Sequence, residues 1–190
     1  MKNRIQRFAK FFRAIFLIAL IVSPLFVGSI WLSGGEILVS GEEDPSMAIE
    51  ILTDDLAIDE AHAPDFPMPW STRLLGLGVA MIPTGIGMLA LWWLFRLFNC
   101  FSAGEIFTRN TVKYIRRTGW TVLIGAGITP IYEALMTIVL TIHNPPGERL
   151  VAITFDSANF EEIVIGGVVI VVSWIMDEGR KLRETEELTV

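Results

Sequence analysis

The sequence predicts an all-α integral membrane protein, a four-helix transmembrane bundle with both termini in the cytoplasm. The 190 residues are 52% hydrophobic and only 19% charged, with a mean hydropathy of +0.54. About 25% of the residues of a soluble domain are charged. The apolar residues are concentrated in four blocks, and the basic residues are divided unequally between the segments that separate those blocks. These observations predict the fold class and the orientation.

Composition also excludes several classes of protein. Cys100 is the only cysteine, so the chain cannot be a disulfide-linked secreted domain. The apolar fraction excludes intrinsic disorder. A net charge of −6 and a pI near 5.0 argue against direct nucleic-acid binding.

The four apolar blocks predict spans at about 14–32, 74–95, 118–142 and 160–176. The first follows a basic segment, as a signal peptide would. However, it has full span length and no A-x-A cleavage site follows, which favours an uncleaved span. The second and third exceed the ~20 residues that cross ~30 Å of hydrocarbon. The fourth covers only ~25 Å as a helix, which a locally thinner bilayer can accommodate.

The distribution of lysine and arginine predicts the orientation of the spans. All but two of the 15 basic residues lie in the N-terminal segment, between spans two and three, or after span four. Basic residues favour the cytoplasmic side. We therefore expect 33–73 to be an external loop, 99–117 a cytoplasmic loop and 177–190 a cytoplasmic tail. Both termini in the cytoplasm require an even number of spans, which supports the short fourth one.

The predicted external loop, residues 33–73, carries ten acidic residues and one arginine. Two interpretations stay open for it. It is either a solvated acidic loop or an ectodomain that binds a cation or a partner. His62 has no companion at a metal-ligand spacing, so no metal site is predicted.

The predicted cytoplasmic loop, residues 99–117, contains two helix-start signals. Ser102 and Glu105 fit a capping box, which predicts a short turn on the membrane surface with Phe107 facing lipid. Thr108 is expected to cap a second helix that continues into span three. Arg116 and Arg117 would lie at headgroup level, where anionic lipid contributes about 1 kcal/mol for each. The loop is interpreted as a basic interfacial hinge, with a protein-docking surface as the alternative.

Glu133 is the one ionisable residue deep inside a predicted span. Such residues usually face other helices and have a function, so an ion or proton site is one hypothesis. The other is a protonated carboxyl that joins helices by hydrogen bonds. Its candidate partners are Ser23, Thr84, Ser173 and the carbonyl freed by Pro130. With one acid and no basic residue inside the spans, the structural hypothesis is favoured.

The sequence lacks the motifs of common enzyme sites. No G-x-S-x-G, H-E-x-x-H, CxxC or phosphate-binding glycine loop is present. Glycines within the spans are typical of close helix packing. We therefore expect no catalytic residues, no cofactor and no enzymatic activity.

A central motif consists of Gly104–Thr108, Asn110 and Ile115–Trp120, and a C-terminal motif consists of Asp177–Leu182 and Glu187–Val190. These motifs resemble the domain-of-unknown-function 2975 family, and the resemblance covers roughly the last 120 residues. The resemblance implies a small four-helix protein of the bacterial cytoplasmic membrane, often encoded beside a helix-turn-helix regulator. The candidate partner- or lipid-binding residues in these motifs are Gly104, Phe107, Thr108, Asn110, Arg116, Arg117, Gly119, Leu182, Leu188 and Thr189.

Three functional hypotheses follow from the sequence and the resemblance. The first is a regulatory membrane protein whose cytoplasmic loop and tail bind a cytosolic helix-turn-helix regulator. The second is a small transporter or ion-conducting homo-oligomer that uses Glu133. The third is a membrane immunity or envelope-stress factor that works through its acidic ectodomain. The paired cytoplasmic motifs favour the first.

Overall fold

The computed structural model describes residues 2–33, 56, 58, 68–145, 147, 149–153, 155 and 157–187. Four α-helices make up its secondary structure within these residues: α1 (Lys2–Ser33), α2 (Trp70–Ser102), α3 (Arg109–Thr141) and α4 (Ser157–Glu187). All four are long and apolar enough to cross a membrane. The prediction of an all-helical protein with four helices that are long and apolar enough to span a membrane is therefore confirmed.

The helices extend well beyond the apolar blocks that predicted them. Helix α1 already begins at Lys2 in the basic segment, and α4 continues to Glu187 in the predicted tail. Ion pairs one helical turn apart stabilise the polar end of α4, with N–O distances of 3.0 Å for Arg180–Asp177 and 3.1 Å for Lys181–Glu178. Hydropathy therefore predicts the apolar part of each helix but not the polar residues at its ends.

The described residues divide into two compact units. The first lies within Met1–Val22, Ile86–Ala126 and Ser157–Val190, and the second lies within Ser23–Gly85 and Gly127–Asp156. Each of α1, α2 and α3 contributes one part to each unit. The prediction of one membrane domain spanning residues 1–190 stays a prediction, as does the bundle arrangement.

The second unit has an apolar core built from helices and from the loop between α1 and α2. Trp31, Met136 and Leu140 are buried together with Leu56 and Met68. The last two belong to the predicted external loop, so apolar side chains anchor this loop to the helices. Most of the loop, including its acidic residues and His62, lies outside the described residues.

Gly76 on α2 allows Trp31 of α1 to pack against the helix backbone. A Cβ atom added at Gly76 would overlap the indole ring, whereas one added at Gly78 would meet nothing within 4 Å. The buried indole, which is 5% exposed, therefore requires a glycine at this one position. Glycines at helix contacts in membranes commonly serve such close approach.

Two buried threonines on α3 hold the segment that follows the α3–α4 turn. The Leu150 N–H donates to Thr141 Oγ1 at 3.2 Å, and the Ala152 N–H donates to Thr137 Oγ1 at 3.2 Å. Both threonine side chains are fully buried. Non-helical backbone at such a site needs internal hydrogen-bond partners, and the two hydroxyls provide them.

In the first unit, α3 and α4 approach each other through glycine. A Cβ atom at Gly119 would lie 3.0 Å from the carbonyl oxygen of Gly166 and 3.1 Å from the backbone nitrogen of Ile170. A Cβ atom at Gly166 would lie 3.1 Å from the Gly119 carbonyl oxygen. Because backbone atoms cannot move aside as a flexible side chain can, this contact requires small residues.

Helix α1 joins the first unit through rings and one polar contact. The Phe12 and Phe16 rings lie 5.4 and 5.2 Å from the ring of Phe98 on α2. The Arg13 guanidinium donates to Asn99 Oδ1 at 2.8 Å. These contacts fix α1 beside the end of α2 from which the α2–α3 loop departs.

Candidate functional site

The α2–α3 loop begins with a helix end where the sequence predicted a helix start. Helix α2 runs through Ser102, whose hydroxyl donates to the Asn99 carbonyl oxygen at 2.8 Å. Gly104 has a φ of 84°, and the N–H groups of Gly104 and Glu105 donate to the carbonyls of Phe101 and Cys100 at 3.0 Å each. This is a Schellman motif, so the capping-box prediction is wrong.

The start of α3 agrees with its prediction. The Thr111 N–H donates to Thr108 Oγ1 at 3.3 Å, which is the bond expected of an N-cap residue, and α3 begins at Arg109. The Thr111 hydroxyl also donates to the Glu105 carbonyl oxygen at 2.9 Å. Because Thr111 is fully buried, these bonds define the shape of the loop.

The α2–α3 loop and the polar end of α4 together line a cavity of about 350 Å³. The loop contributes the five consecutive residues from Gly104 to Thr108, and α4 contributes Arg180, Arg183 and Glu184. The two segments that resemble the family motifs, far apart in sequence, therefore meet at one surface. We call it the loop–tail surface.

The loop–tail surface includes an exposed aromatic side chain, Phe107, which is 52% exposed. Leu182 on α4 is 62% exposed but does not line the cavity, because helix periodicity places it on the opposite side of α4 from Arg180, Arg183 and Glu184. Asn110 is also exposed, on the first turn of α3. Leu188 and Thr189, which the sequence also suggested as partner-binding residues, lie outside the described residues.

A larger cavity of about 560 Å³ lies along one side of α3. We call it the basic cavity. Its lining comes from α2, α3 and α4 in the first unit, and the residues are Trp93, Arg109, Val112, Lys113, Arg116, Arg117, Trp120, Thr121, Ile124, Asp177 and Arg180. Five cationic side chains therefore face a single carboxylate.

Aromatic contacts hold one of the cations of the basic cavity. The Arg117 guanidinium carbon lies 4.5 Å from the centre of the Trp93 ring, a cation–π distance. The Trp93 ring in turn stacks on Tyr114, with ring centres 6.1 Å apart and an interplanar angle of 20°. Arg117 is thus positioned by packing and not by a carboxylate.

Arg180 lies between the two cavities and lines both. It is only 8% exposed, and its guanidinium donates to Asp177 at 3.0 Å and to Glu184 at 2.6 Å. Asp177 follows the apolar run of α4, and the hydrogen bond from Arg180 lowers the pKa of its carboxyl. Asp177 is therefore ionised at neutral pH and balances part of the positive charge of Arg180.

Sequence reasoning identified some of these residues and missed others. Arg116 and Arg117 were predicted as lipid- or partner-binding and do line the basic cavity. Gly119, predicted in the same group, makes the α3–α4 contact instead. Arg180 lies within the C-terminal motif but was not predicted as a binding residue. Only its burial between two cavities, which depends on tertiary packing, distinguishes it from other tail residues.

The polar residues suggested as partners of Glu133 include two hydroxyls that bond to the backbone of their own helices. Glu133 is 5% exposed in the second unit and has an interaction partner. The Thr84 hydroxyl donates to the Ala80 carbonyl and the Ser173 hydroxyl to the Ile170 carbonyl, both within their own helices. Ser23 is half-buried. Among the described residues, no group of three or more His, Cys, Asp or Glu side chains could hold a metal ion.

Comparison with known protein families identifies one match. The family model "Protein of unknown function (DUF2975)" matches residues 57–190, well over half of the chain. The chain therefore belongs to this family, as its motifs predicted. No curated protein and no solved structure matches it.

Proposed function

We propose that this member of the DUF2975 family is a multi-pass protein of the bacterial cytoplasmic membrane that binds a cytosolic helix-turn-helix regulator. The loop–tail surface is the docking site in this proposal. Binding at the membrane would hold the regulator away from DNA or change its activity. The proposed role is therefore recognition and not catalysis.

The observation that carries the proposal is the meeting of the two motif segments at the loop–tail surface. The loop residues Gly104–Thr108 and the α4 residues Arg180, Arg183 and Glu184 line one cavity. Phe107 adds exposed apolar area beside these charged groups. Apolar and aromatic anchors within a polar rim are the usual composition of a protein interface.

The proposed topology gives this surface access to the cytosol. The distribution of Lys and Arg favours the α2–α3 loop and the end of α4 on the cytoplasmic side. A regulator that binds DNA is cytosolic in a bacterium, so the surface and the regulator would share a compartment. The acidic loop between α1 and α2 would face the outside.

Site-specific photocrosslinking in native membranes tests this proposal. A photoreactive residue is placed at Phe107 or at Arg183, both of which line the loop–tail surface, and at Lys10 on α1 as a matched exposed control in the same unit. We expect the first two positions, and not the third, to crosslink to one helix-turn-helix protein that mass spectrometry identifies.

Two further results would decide the matter. The double variant Phe107→Ala/Arg183→Ala should release that regulator from purified membranes while keeping its own membrane level. Crosslinks from positions 107 and 183 only to lipid or to a second copy of the chain would contradict the proposal. An equal yield of the regulator from Lys10 would contradict it as well.

A further inference from the structure

The basic cavity has a chemical gradient along its length. The side of α3 that lines it carries Arg109, Lys113 and Arg116 at one end and Trp120 and Ile124 at the other. From Arg109 to Ile124 the helix rises about 22 Å. A ligand that fills this cavity therefore needs an anionic end and an apolar end.

The cations at the polar end of the basic cavity are available to a ligand. Arg109, Lys113 and Arg116 are exposed. Among the described residues, none of these three side chains forms a close ion pair, and Arg116 acts on Asp177 at longer range, where it helps to lower the pKa of that carboxyl. Arg180 and Asp177, by contrast, are already paired with each other and form a wall of the cavity.

The start of α3 adds to the positive potential at this end. The first turn of α3 contains no acidic residue, and the free N–H groups of a helix start carry partial positive charge. Two cations, Arg109 and Lys113, stand within the first two turns. The cavity lining contains five cations and one carboxylate, Asp177, so an anion bound here would offset the excess positive charge.

The cavity also lies where three helices change from apolar to polar sequence. Trp93 stands near the end of the apolar run 74–95, Arg117 directly precedes the run 118–142, and Asp177 directly follows the run 160–176. If these runs cross the hydrocarbon, the cavity is at the level of the lipid headgroups. Its apolar end, with Trp120 and Ile124 each more than half exposed, then faces acyl chains.

We propose that the basic cavity binds one anionic phospholipid, with the phosphate group among Arg109, Lys113 and Arg116 and an acyl chain along Trp120 and Ile124. Guanidinium and ammonium groups donate strong hydrogen bonds to phosphate. The stack of Tyr114, Trp93 and Arg117 preorganises one side of the cavity, which lowers the ordering cost of binding. The phosphate chemistry alone would also suit a soluble phosphate compound, but the apolar end favours a lipid.

Native mass spectrometry of the delipidated full chain in detergent tests this proposal. The probes are dioleoyl phosphatidylglycerol, dioleoyl phosphatidylcholine, glycerol 3-phosphate and inorganic phosphate. We expect one phosphatidylglycerol molecule to be retained, and phosphatidylcholine and the two soluble phosphates to be retained at least about tenfold less.

Matched variants separate the cavity from general surface charge. Lys113→Gln/Arg116→Gln should lower phosphatidylglycerol retention by about tenfold or more. Arg7→Gln/Lys10→Gln removes the same charge from exposed positions on α1 and should leave it unchanged. Lys113→Arg/Arg116→Lys keeps both charges and should retain the lipid. Elution volume in size-exclusion chromatography checks that each variant is folded.

Three results would overturn the proposal. The first is an equal loss of lipid in the α1 control, which would indicate attraction by surface charge alone. The second is equal retention of phosphatidylcholine. The third is saturation of the cavity by glycerol 3-phosphate or inorganic phosphate with no additional binding of phosphatidylglycerol, which would make the ligand a soluble phosphate compound.

Discussion

The two compact units differ in how far their apolar side chains are buried and their polar and charged groups are paired. In the second unit, the large apolar side chains of Trp31 and Met136 are buried, and the hydroxyls of Thr137 and Thr141 accept backbone N–H groups of its own loop. In the first unit, α3 and α4 approach each other closely at two glycines, Gly119 and Gly166. The first unit also contains a cavity in which four cations on α3 and Arg180 on α4 face one carboxylate, Asp177.

This difference indicates a division of roles. A unit that meets the needs of its buried groups internally is suited to hold a fold. A unit with unbalanced charge and exposed apolar side chains next to a cavity is suited to bind something. The proposals for a regulator and for a phospholipid both concern the first unit for this reason.

The largest expected effect is on the packing of the second unit. Gly76→Ala places a methyl group into the indole ring of Trp31, and overpacking of this kind costs about 1–3 kcal/mol or more. Gly78→Ala, two residues along the same helix, meets nothing within 4 Å and should be neutral or slightly stabilising. Unfolding in mixed micelles of a mild detergent and SDS measures the free energy of unfolding of both variants. Equal stability of the two variants would contradict the tight Trp31 contact.

A somewhat smaller effect is expected at the glycine contact of the first unit. Gly166→Ala should cost about 1–2 kcal/mol, because its new methyl group would press on Leu123 and on the Gly119 carbonyl. Gly167→Ala is the adjacent control, with nothing within 4 Å. The same unfolding assay applies. Alanine favours a helix more than glycine does at both positions, so a loss of stability in Gly167→Ala equal to that in Gly166→Ala would contradict the assignment of the loss to the α3–α4 contact.

The smallest effect is expected at Glu133. We expect Glu133→Gln, which keeps the shape and a hydrogen-bond donor, to change stability by less than about 1 kcal/mol, the usual scale of interhelical hydrogen bonds in membranes. Proton flux into liposomes driven by a pH gradient should be absent with both forms of the protein. Conduction by the original chain that Glu133→Gln abolishes would replace the structural role with a transport role.

Much of the fold was predictable because hydropathy and capping are local signals. The four apolar blocks lie inside the four helices except for Ile142, which follows the end of α3, and Thr108 caps the start of α3 as its side chain predicted. Ser102 was misassigned because Ser-Ala-Gly-Glu fits both a helix start and a helix end. The positive φ of Gly104 selects the end, and the sequence alone does not fix that angle.

The candidate site was only partly predictable because it is built by packing between helices. The cations of the loop and of α3 could be read from the sequence as interfacial, since they flank a span. The position of Arg180 between two cavities depends on how α4 packs against α3 near Gly119 and Gly166. No local pattern reports that contact, and the family motif marks the residues without giving their roles.

Cysteine labelling in spheroplasts tests most directly the central claim that the loop–tail surface faces the cytosol. Cys100 is replaced by Ser, and a single cysteine is introduced by Arg149→Cys after α3 or by Lys181→Cys on α4, both exposed positions. We expect a membrane-impermeant maleimide to label residue 149 in intact spheroplasts and residue 181 only after lysis. Labelling of residue 181 from outside would contradict the topology and, with it, the docking site.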